Sequence, residues 1–210
     1  MHYGKKEFRA YGVRTLLSRH PEVRKLKRYR TPSAHGNQVW SSSWILMDYL
    51  ARRGLDRGAR VVEVGCGWGL LGIYCARRFG AKVTAIDVDP EVFPFLELHA
   101  RANRVQMDTM QRGMQHLSRS QLEGVDCVVG ADICFWDELA RPLKKLVRRA
   151  IRADVAEVLI ADPGRQPFYD VADHFAKQGR AELIEWSARR PRKRRGYILK
   201  VNAHGEKETA

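Results

Sequence analysis

From residue 60 onward the apolar positions switch between two periods, short β-branched runs and helical stripes. "RVVEV" (60–64) is an apolar run that ends at glycines, and "LLGIYCARRF" (70–79) carries apolar residues at helical spacing until Gly80 stops it. "KVTAID" (82–87) predicts a second strand, and "PEVFPFLELHARAN" (90–103) predicts a second helix with Asp89 as N-cap and Pro90 at its first position. "DCVVGAD" (126–132), "DELARPLKKLVRRAI" (137–151), "VAEVLIAD" (155–162) and "QPFYDVADHFAKQG" (166–179) repeat the order strand, helix, strand, helix. Between 104 and 125 the pattern is weak, with a short strand placed near 109–114. Strands separated by helices of this length imply right-handed crossovers and a parallel sheet covered on both faces. "AELIEWSA" (181–188) and "GYILKVNA" (196–203) have only "RRPRKRR" between them, so they pair as a terminal antiparallel hairpin. The expectation is an α/β fold with seven strands. Residues 1–58 read as a helical extension packed on a core of residues 59–203: "KEFRAYGVRTLLSR", "PEVRKLKRY", then "SSWILMDYLARRG" (42–54) ended by Gly54. Residues 204–210 read as a polar tail.

Composition narrows the setting. The 210 residues suit one domain, and no apolar stretch approaches the roughly 18 residues of a membrane span. The first residues lack the continuous apolar segment of a secretory signal. Cys66, Cys75, Cys127 and Cys134 form no CxxC pair, and the seven histidines show no HxxxH spacing, so no metal is expected. Buried thiols in a reducing cytoplasm fit best. The charge changes the picture more: 38 Lys+Arg against 24 Asp+Glu gives +14. Basic residues gather in 14–30, in 141–152 and in "RRPRKRR" (189–195), which favours an acidic protein or ribonucleoprotein partner, with RNA contact as a further option. No membrane partner is expected.

The chemistry-bearing stretch is "VVEVGCGWGLLG" (61–72). Gly67, Gly69 and Gly72 spell the GxGxxG of dinucleotide sites, but the strand ends at Val64, so the turn starts at Gly65 and the register is GxGxG. An acid on the strand followed by three alternating glycines lets a ligand lie against bare backbone at the carboxyl end of the sheet.

Glu63 with Gly65, Gly67 and Gly69, Asp87 closing the second strand and Asp132 closing the fourth together resemble the class I S-adenosylmethionine-dependent methyltransferases. The resemblance implies a Rossmann-like seven-stranded sheet, mostly parallel with a C-terminal antiparallel hairpin, helices on both faces, and S-adenosyl-L-methionine as cofactor. It implies that Gly65, Cys66, Gly67 and Gly69 lie along the methionine part and that Asp87 and Val88 take the ribose side. Met114 and Gln115 fall where such proteins contact adenine, and Glu63 would hold the loop or face the cofactor's amino group. "ADICFW" (131–136) is similar to the DxxY or DxxF pattern of methyltransferase family 16, whose members include protein lysine methyltransferases. "GNQVWSSSWILMDYL" (36–50) is similar to that family's pre-sheet segment, which implies Trp40 beside the cofactor. "ADPGRQPF" (161–168) resembles the loop of relatives that act on the electron transfer flavoprotein β subunit. The resemblance thus implies N-methylation of an amine, a protein lysine first, with Asp132 touching the cofactor and orienting the amine and Phe135 lining its channel as the catalytic pair. Alternatives are an RNA or small-molecule amine acceptor, or a nucleic-acid-binding module that keeps a vestigial cofactor fold.

Overall fold

The strand signals after residue 60 become one seven-stranded sheet in the computed structural model, which describes residues 6–33 and 35–202. The expected polar tail, 204–210, lies outside the described residues. Ahead of the sheet, Glu7–Ala10 (β1) and Val13–Leu16 (β2) form an antiparallel hairpin where the sequence suggested helix. The correction has two physical causes. Tyr11 and Gly12 take φ of 51° and 81°, the paired left-handed residues of a two-residue hairpin turn. The backbone of β2 also finds distant partners: the Asn103 side chain binds both the N–H and the carbonyl of Arg14 at 2.7 and 2.8 Å, and Leu16 N–H donates to His99 Nε2 at 3.2 Å. The other expected helices of the extension are present as Pro21–Tyr29 (α1) and Ser42–Arg53 (α2), the latter ended by Gly54 at φ 91°.

The core then runs Arg60–Val64 (β3), Leu70–Phe79 (α3), Lys82–Asp87 (β4), Phe93–Asn103 (α4), Asp108–Gln111 (β5) and Arg119–Leu122 (α5). It continues with Cys127–Ala131 (β6), Asp137–Arg152 (α6), Glu157–Asp162 (β7), Gln166–Ala176 (α7), Ala181–Ala188 (β8) and Arg194–Asn202 (β9). The sheet order is β5-β4-β3-β6-β7-β9-β8; the first five strands are parallel and β9 is antiparallel to both neighbours. β5 is largely exposed at the sheet edge, which explains why hydrophobic periodicity barely marked it.

Alternate residues of each strand feed two apolar layers. Val61 and Leu159 pack under α2 and α3 with Ile45, Leu71 and Ile73, while Val62, Val128 and Ile160 pack against Leu143, Leu146, Phe168 and Phe175 of α6 and α7. β7 is buried along its whole length, and its inner residues 158–161 are an unbroken apolar run. Strand order reverses at β3, with β4 on one side and β6 on the other. Open α/β sheets bind ligands in the crevice at such a switch point, beyond the carboxyl ends of the strands.

Candidate functional site

The chain leaves β3 at Val64 and turns at once. Gly65, Gly67 and Gly69 hold φ of 60°, 49° and 70°, a conformation that L side chains adopt only with strain. The three glycines serve different ends. A Cβ at Gly65 would stand 2.5 Å from Ile133 Cγ2 and one at Gly69 would stand 2.6 Å from Leu96 Cγ, whereas one at Gly67 would meet nothing within 4 Å. Gly65 and Gly69 are therefore packing glycines, and Gly67 presents bare backbone to open space.

Glu63 is buried behind this loop and accepts the Gly72 N–H at 3.0 Å, so it holds the first turn of α3. Burial pushes its carboxyl up to about 8, against the pull of the Gly72 and Leu71 N–H groups. Gly72 also has a packing reason to be glycine: its Cβ would lie 2.5 Å from Glu63 Oε2 and 3.0 Å from Val83 Cγ1. Cys66 is buried, and burial pushes its thiol well above the ordinary value. Asp87 closes β4; its carboxylate oxygens accept from Gly67 N–H at 2.9 Å and Asp89 N–H at 3.0 Å. Burial raises its pKa while those two N–H groups draw it back. Val88 beside it is 64% exposed. Met114 and Gln115 lie in a 3-10 turn after β5, whose end is tied to β4 by Arg112 N–H donating to the Asp87 carbonyl at 2.8 Å.

Residues 30–33 and 35–42 lie across the carboxyl ends of β4, β3 and β6 as a strap. Thr31 N–H donates to Glu91 at 3.1 Å and Ser33 N–H to Asp89 at 2.7 Å; the Trp68 indole donates to the Gly36 carbonyl at 2.9 Å; Ser42 N–H donates to Asp132 Oδ2 at 3.0 Å. The strap brings His35 against Phe135, ring centroids 4.2 Å apart and nearly parallel, with Trp40 6.0 Å from His35 on a similar plane. Trp136 stands edge-on to both His35 and Phe135 at 4.8 Å, and it is 57% exposed. These four rings form an aromatic vestibule beside β6. Phe135 and Trp40, both expected at the site from sequence, each stack on His35; His35, a lone histidine with no motif around it, carries no sequence signal.

Asp132, also singled out, is held at φ 58° and is 7% exposed. Its second oxygen accepts from Arg165 Nη1 at 2.9 Å, and the same nitrogen donates to Asp162 Oδ2 at 2.8 Å. The other Asp162 oxygen accepts the N–H groups of Gly164 and Arg165, both at 2.8 Å, and burial raises the Asp162 carboxyl against those bonds. Arg165 thus clamps the ends of β6 and β7 together and, through Asp132, anchors the strap. Asp132 braces the wall of the crevice as well as facing it. Arg165 went unmarked in the sequence because nothing local reveals that two strand ends share one guanidinium.

Cys134 is fully buried with its thiol pushed up to about 12 by burial, the state of a packing residue. Among the described residues no three His, Cys, Asp or Glu side chains gather closely enough to hold a metal ion, and no helix is long and apolar enough to cross a membrane.

Residues 61–154 match the family model described as a methyltransferase domain. The chain is similar to ubiquinone biosynthesis O-methyltransferases, 42% identical over 84 residues in Xanthomonas campestris pv. campestris (strain B100) and 38% over 84 residues in Xylella fastidiosa (strain M23). Each match takes in 40% of this chain, and 35% and 34% of those proteins, so the chain spans about a third of the length of the relatives it matches. Two solved structures share the fold. A precorrin 8w decarboxylase from Methanobacterium thermoautotrophicum has a TM-score of 0.58 at 14% identity, covering 78% of this chain and 91% of that one. A Pyrococcus abyssi tRNA (uracil-54, C5)-methyltransferase in complex with S-adenosyl-L-homocysteine has a TM-score of 0.54 at 16% identity, covering 95% and 45%. The open backbone at Gly67 and the Asp87 carboxylate beside it fit a nucleoside with no pyrophosphate to hold. Residues 61–154 are thus similar to a methyltransferase domain, and the seven-stranded sheet has the Rossmann-like methyltransferase fold.

Proposed function

We propose that this chain methylates an amine nitrogen from S-adenosylmethionine, with a protein lysine as the acceptor class. The observation that carries the reading is the aromatic vestibule of His35, Trp40, Phe135 and Trp136 beside the end of β6. A bound S-adenosylmethionine supplies an electrophilic methyl group on its sulfonium; the protein's part is to hold donor and acceptor in register, which is worth up to about 7–11 kcal/mol. The Gly67 backbone would lie along the cofactor's methionine part, the free lone pairs of Asp87 would take ribose hydroxyls as charge-assisted acceptors, and Met114 with Gln115 would flank the base.

On the acceptor side the rings sheath an alkyl stem and strip water from the nitrogen. A lysine of pKa about 10.4 must lose its proton to attack. Desolvation favours the neutral amine by up to 3–5 pKa units at full burial, whereas ring faces favour the cation by about 0.5–2 kcal/mol. Desolvation therefore wins wherever the nitrogen sits below the exposed edge of Trp136, and the proton leaves to water. The four buried free cysteines suit a reducing cytoplasm.

A second reading rests on the relatives: their printed names make them O-methyltransferases, and the same rings would stack a planar hydroxylated acceptor. Radiolabelled methyl transfer into a cell lysate separates the readings. Methylation of a protein lysine predicts label in the protein fraction, recovered as methyl-lysine after acid hydrolysis; label confined to the organic extract, in a product whose new methyl group is on oxygen by NMR, would establish oxygen methylation of a small molecule. Ribonuclease-sensitive label would point to RNA instead.

A further inference from the structure

β8 runs parallel to β7 with β9 between them, so the β8–β9 turn lies at the carboxyl end of the sheet, the end that carries Glu63, Asp87, Asp132 and Asp162. The hairpin overshoots. β7 stops at Asp162 opposite Tyr197, while β8 and β9 continue pairing from Trp186↔Gly196 to Ala188↔Arg194. Arg194 and Arg195 close the paired part and Arg189, Arg190, Arg192 and Lys193 stand in the turn beyond it, all exposed. The base of the arm is fixed: Asp48 of α2 accepts from the Trp186 indole at 3.1 Å and from Arg189 N–H at 3.3 Å, and the Tyr11 hydroxyl accepts Arg190 N–H at 3.1 Å. Between this arm and the end of α2 lies a groove of about 640 Å³ lined by Arg52, Trp186, Arg189, Lys193 and Arg195, with Glu185 as its one acid. Arg52 lies over the Trp186 ring at 5.1 Å, and Arg195 pairs with Glu185 at 3.3 Å. Among the described residues no carboxylate pairs with the side chains of Arg189 or Lys193.

We infer that this groove and the arm above it bind the phosphate backbone of a single-stranded nucleic acid, on the same face as the methyl-transfer site. Arg52 pairs with Asp48 at 3.1 Å and Arg195 with Glu185, while among the described residues Arg189 and Lys193 have no carboxylate partner, so four cations against two acids give a field suited to a polyanion, and planar guanidinium groups match phosphate oxygens in pairs. The choice against an acidic protein comes from what the surface lacks. Protein interfaces are centred on an apolar patch, but the exposed large apolar side chains among the described residues are Tyr29, Val88, Trp136 and Leu183, none of which lines the groove. Nucleic-acid interfaces are polar and strongly positive. Position adds a second argument. β8 is three strands from β6, a separation of roughly 14 Å at 4.8 Å per strand, so a strand seated in the groove passes within a few nucleotides of the aromatic vestibule. The inference is independent of which acceptor atom is methylated.

Fluorescence anisotropy with a labelled 20-nucleotide single-stranded RNA, and a DNA of the same sequence, tests it on the full chain. The wild type is expected to bind, with affinity falling along a log–log salt slope of about −0.7 per neutralised phosphate. The triple variant R189A/K193A/R195A is expected to bind at least tenfold more weakly with a slope shallower by about two, while R24A/K25A/R28A, which removes the same charge from exposed positions of α1, stays within twofold. Equal losses in the two variants, or no loss in the first, would overturn the site. Poly-glutamate competing as well as unlabelled RNA would overturn the choice of nucleic acid, and the RNA and DNA arms decide which sugar the groove accepts.

Discussion

On the β3–β4 side of the crevice the chain presents backbone and one carboxylate, all drawn from Glu63 to Val88; on the β6–β7 side it presents four rings and an arginine drawn from residues as distant as His35 and Arg165. The first side is made by local geometry, a strand end and a glycine turn that fold together. The second exists only when the strap, the end of β6 and the loop after β7 are all in place. In the proposed function the cofactor, common to many reactions, would be met by the contiguous motif, and the acceptor, which differs between enzymes, by parts that vary independently.

That contrast breaks most sharply at Arg165. Replacing it with alanine leaves Asp132 and Asp162 facing each other without their shared cation, both less than a tenth exposed; a loss of about 3 kcal/mol is expected in urea denaturation, at the low end for a broken buried pair because the guanidinium keeps some solvent. A loss below about 1 kcal/mol would remove the clamp from the account. The glycines come next. Gly65→Ala combines left-handed strain with a clash on Ile133 and should cost about 2–3 kcal/mol, whereas Gly67→Ala carries only the strain, about 1 kcal/mol, and weakens cofactor binding instead. Equal stabilities for the two variants would show that the loop faces are misassigned.

A pH series sharpens the same side. Glu63, held up to about 8 by burial, keeps its proton in the folded chain where an unfolded carboxyl, at 4.5, has lost it. Its contribution to stability is full below the ordinary carboxylate range and is lost as pH rises through 8. Glu63→Gln should therefore flatten the fall in Tm between about pH 5 and pH 8, leaving the smaller same-signed contributions of Asp87, Glu157 and Asp162; an unchanged profile contradicts the assignment. The smallest effect on stability belongs to Trp136→Ala, within about 0.5 kcal/mol because the ring is mostly exposed. Its consequence should be a raised KM for the acceptor with cofactor affinity unchanged.

Legibility in the sequence followed the same division. Glu63, Gly65, Gly67, Gly69 and Asp87 were readable because strand end, turn and acid are adjacent in the chain. The dinucleotide-like string was rightly set aside by register, yet Gly72 still has the close-packing role that a third glycine serves, since Glu63 and Val83 crowd its Cα. The clamp is invisible in the sequence: Asp132 and Asp162 lie thirty residues apart at the ends of two strands, and only the fold brings one guanidinium between them. β1 and β2 were misread because Tyr11 at positive φ gives no sequence warning and because Asn103 and His99, far along the chain, supply the partners that a helix would have supplied itself. The His99 ring, kept neutral by burial, donates from Nδ1 to the Phe95 carbonyl at 2.7 Å while accepting from Leu16, so one tautomer serves both contacts.

Calorimetric titration of S-adenosylmethionine into the wild-type chain and into Asp87→Asn is the most direct test of the crevice as a methyl-donor site. The account predicts one binding site in the wild type and a loss of about 10–100-fold in the variant, the equivalent of one charged hydrogen-bond acceptor, with Tm little changed. Absence of binding to the wild type, or equal affinity in the two proteins, would contradict it.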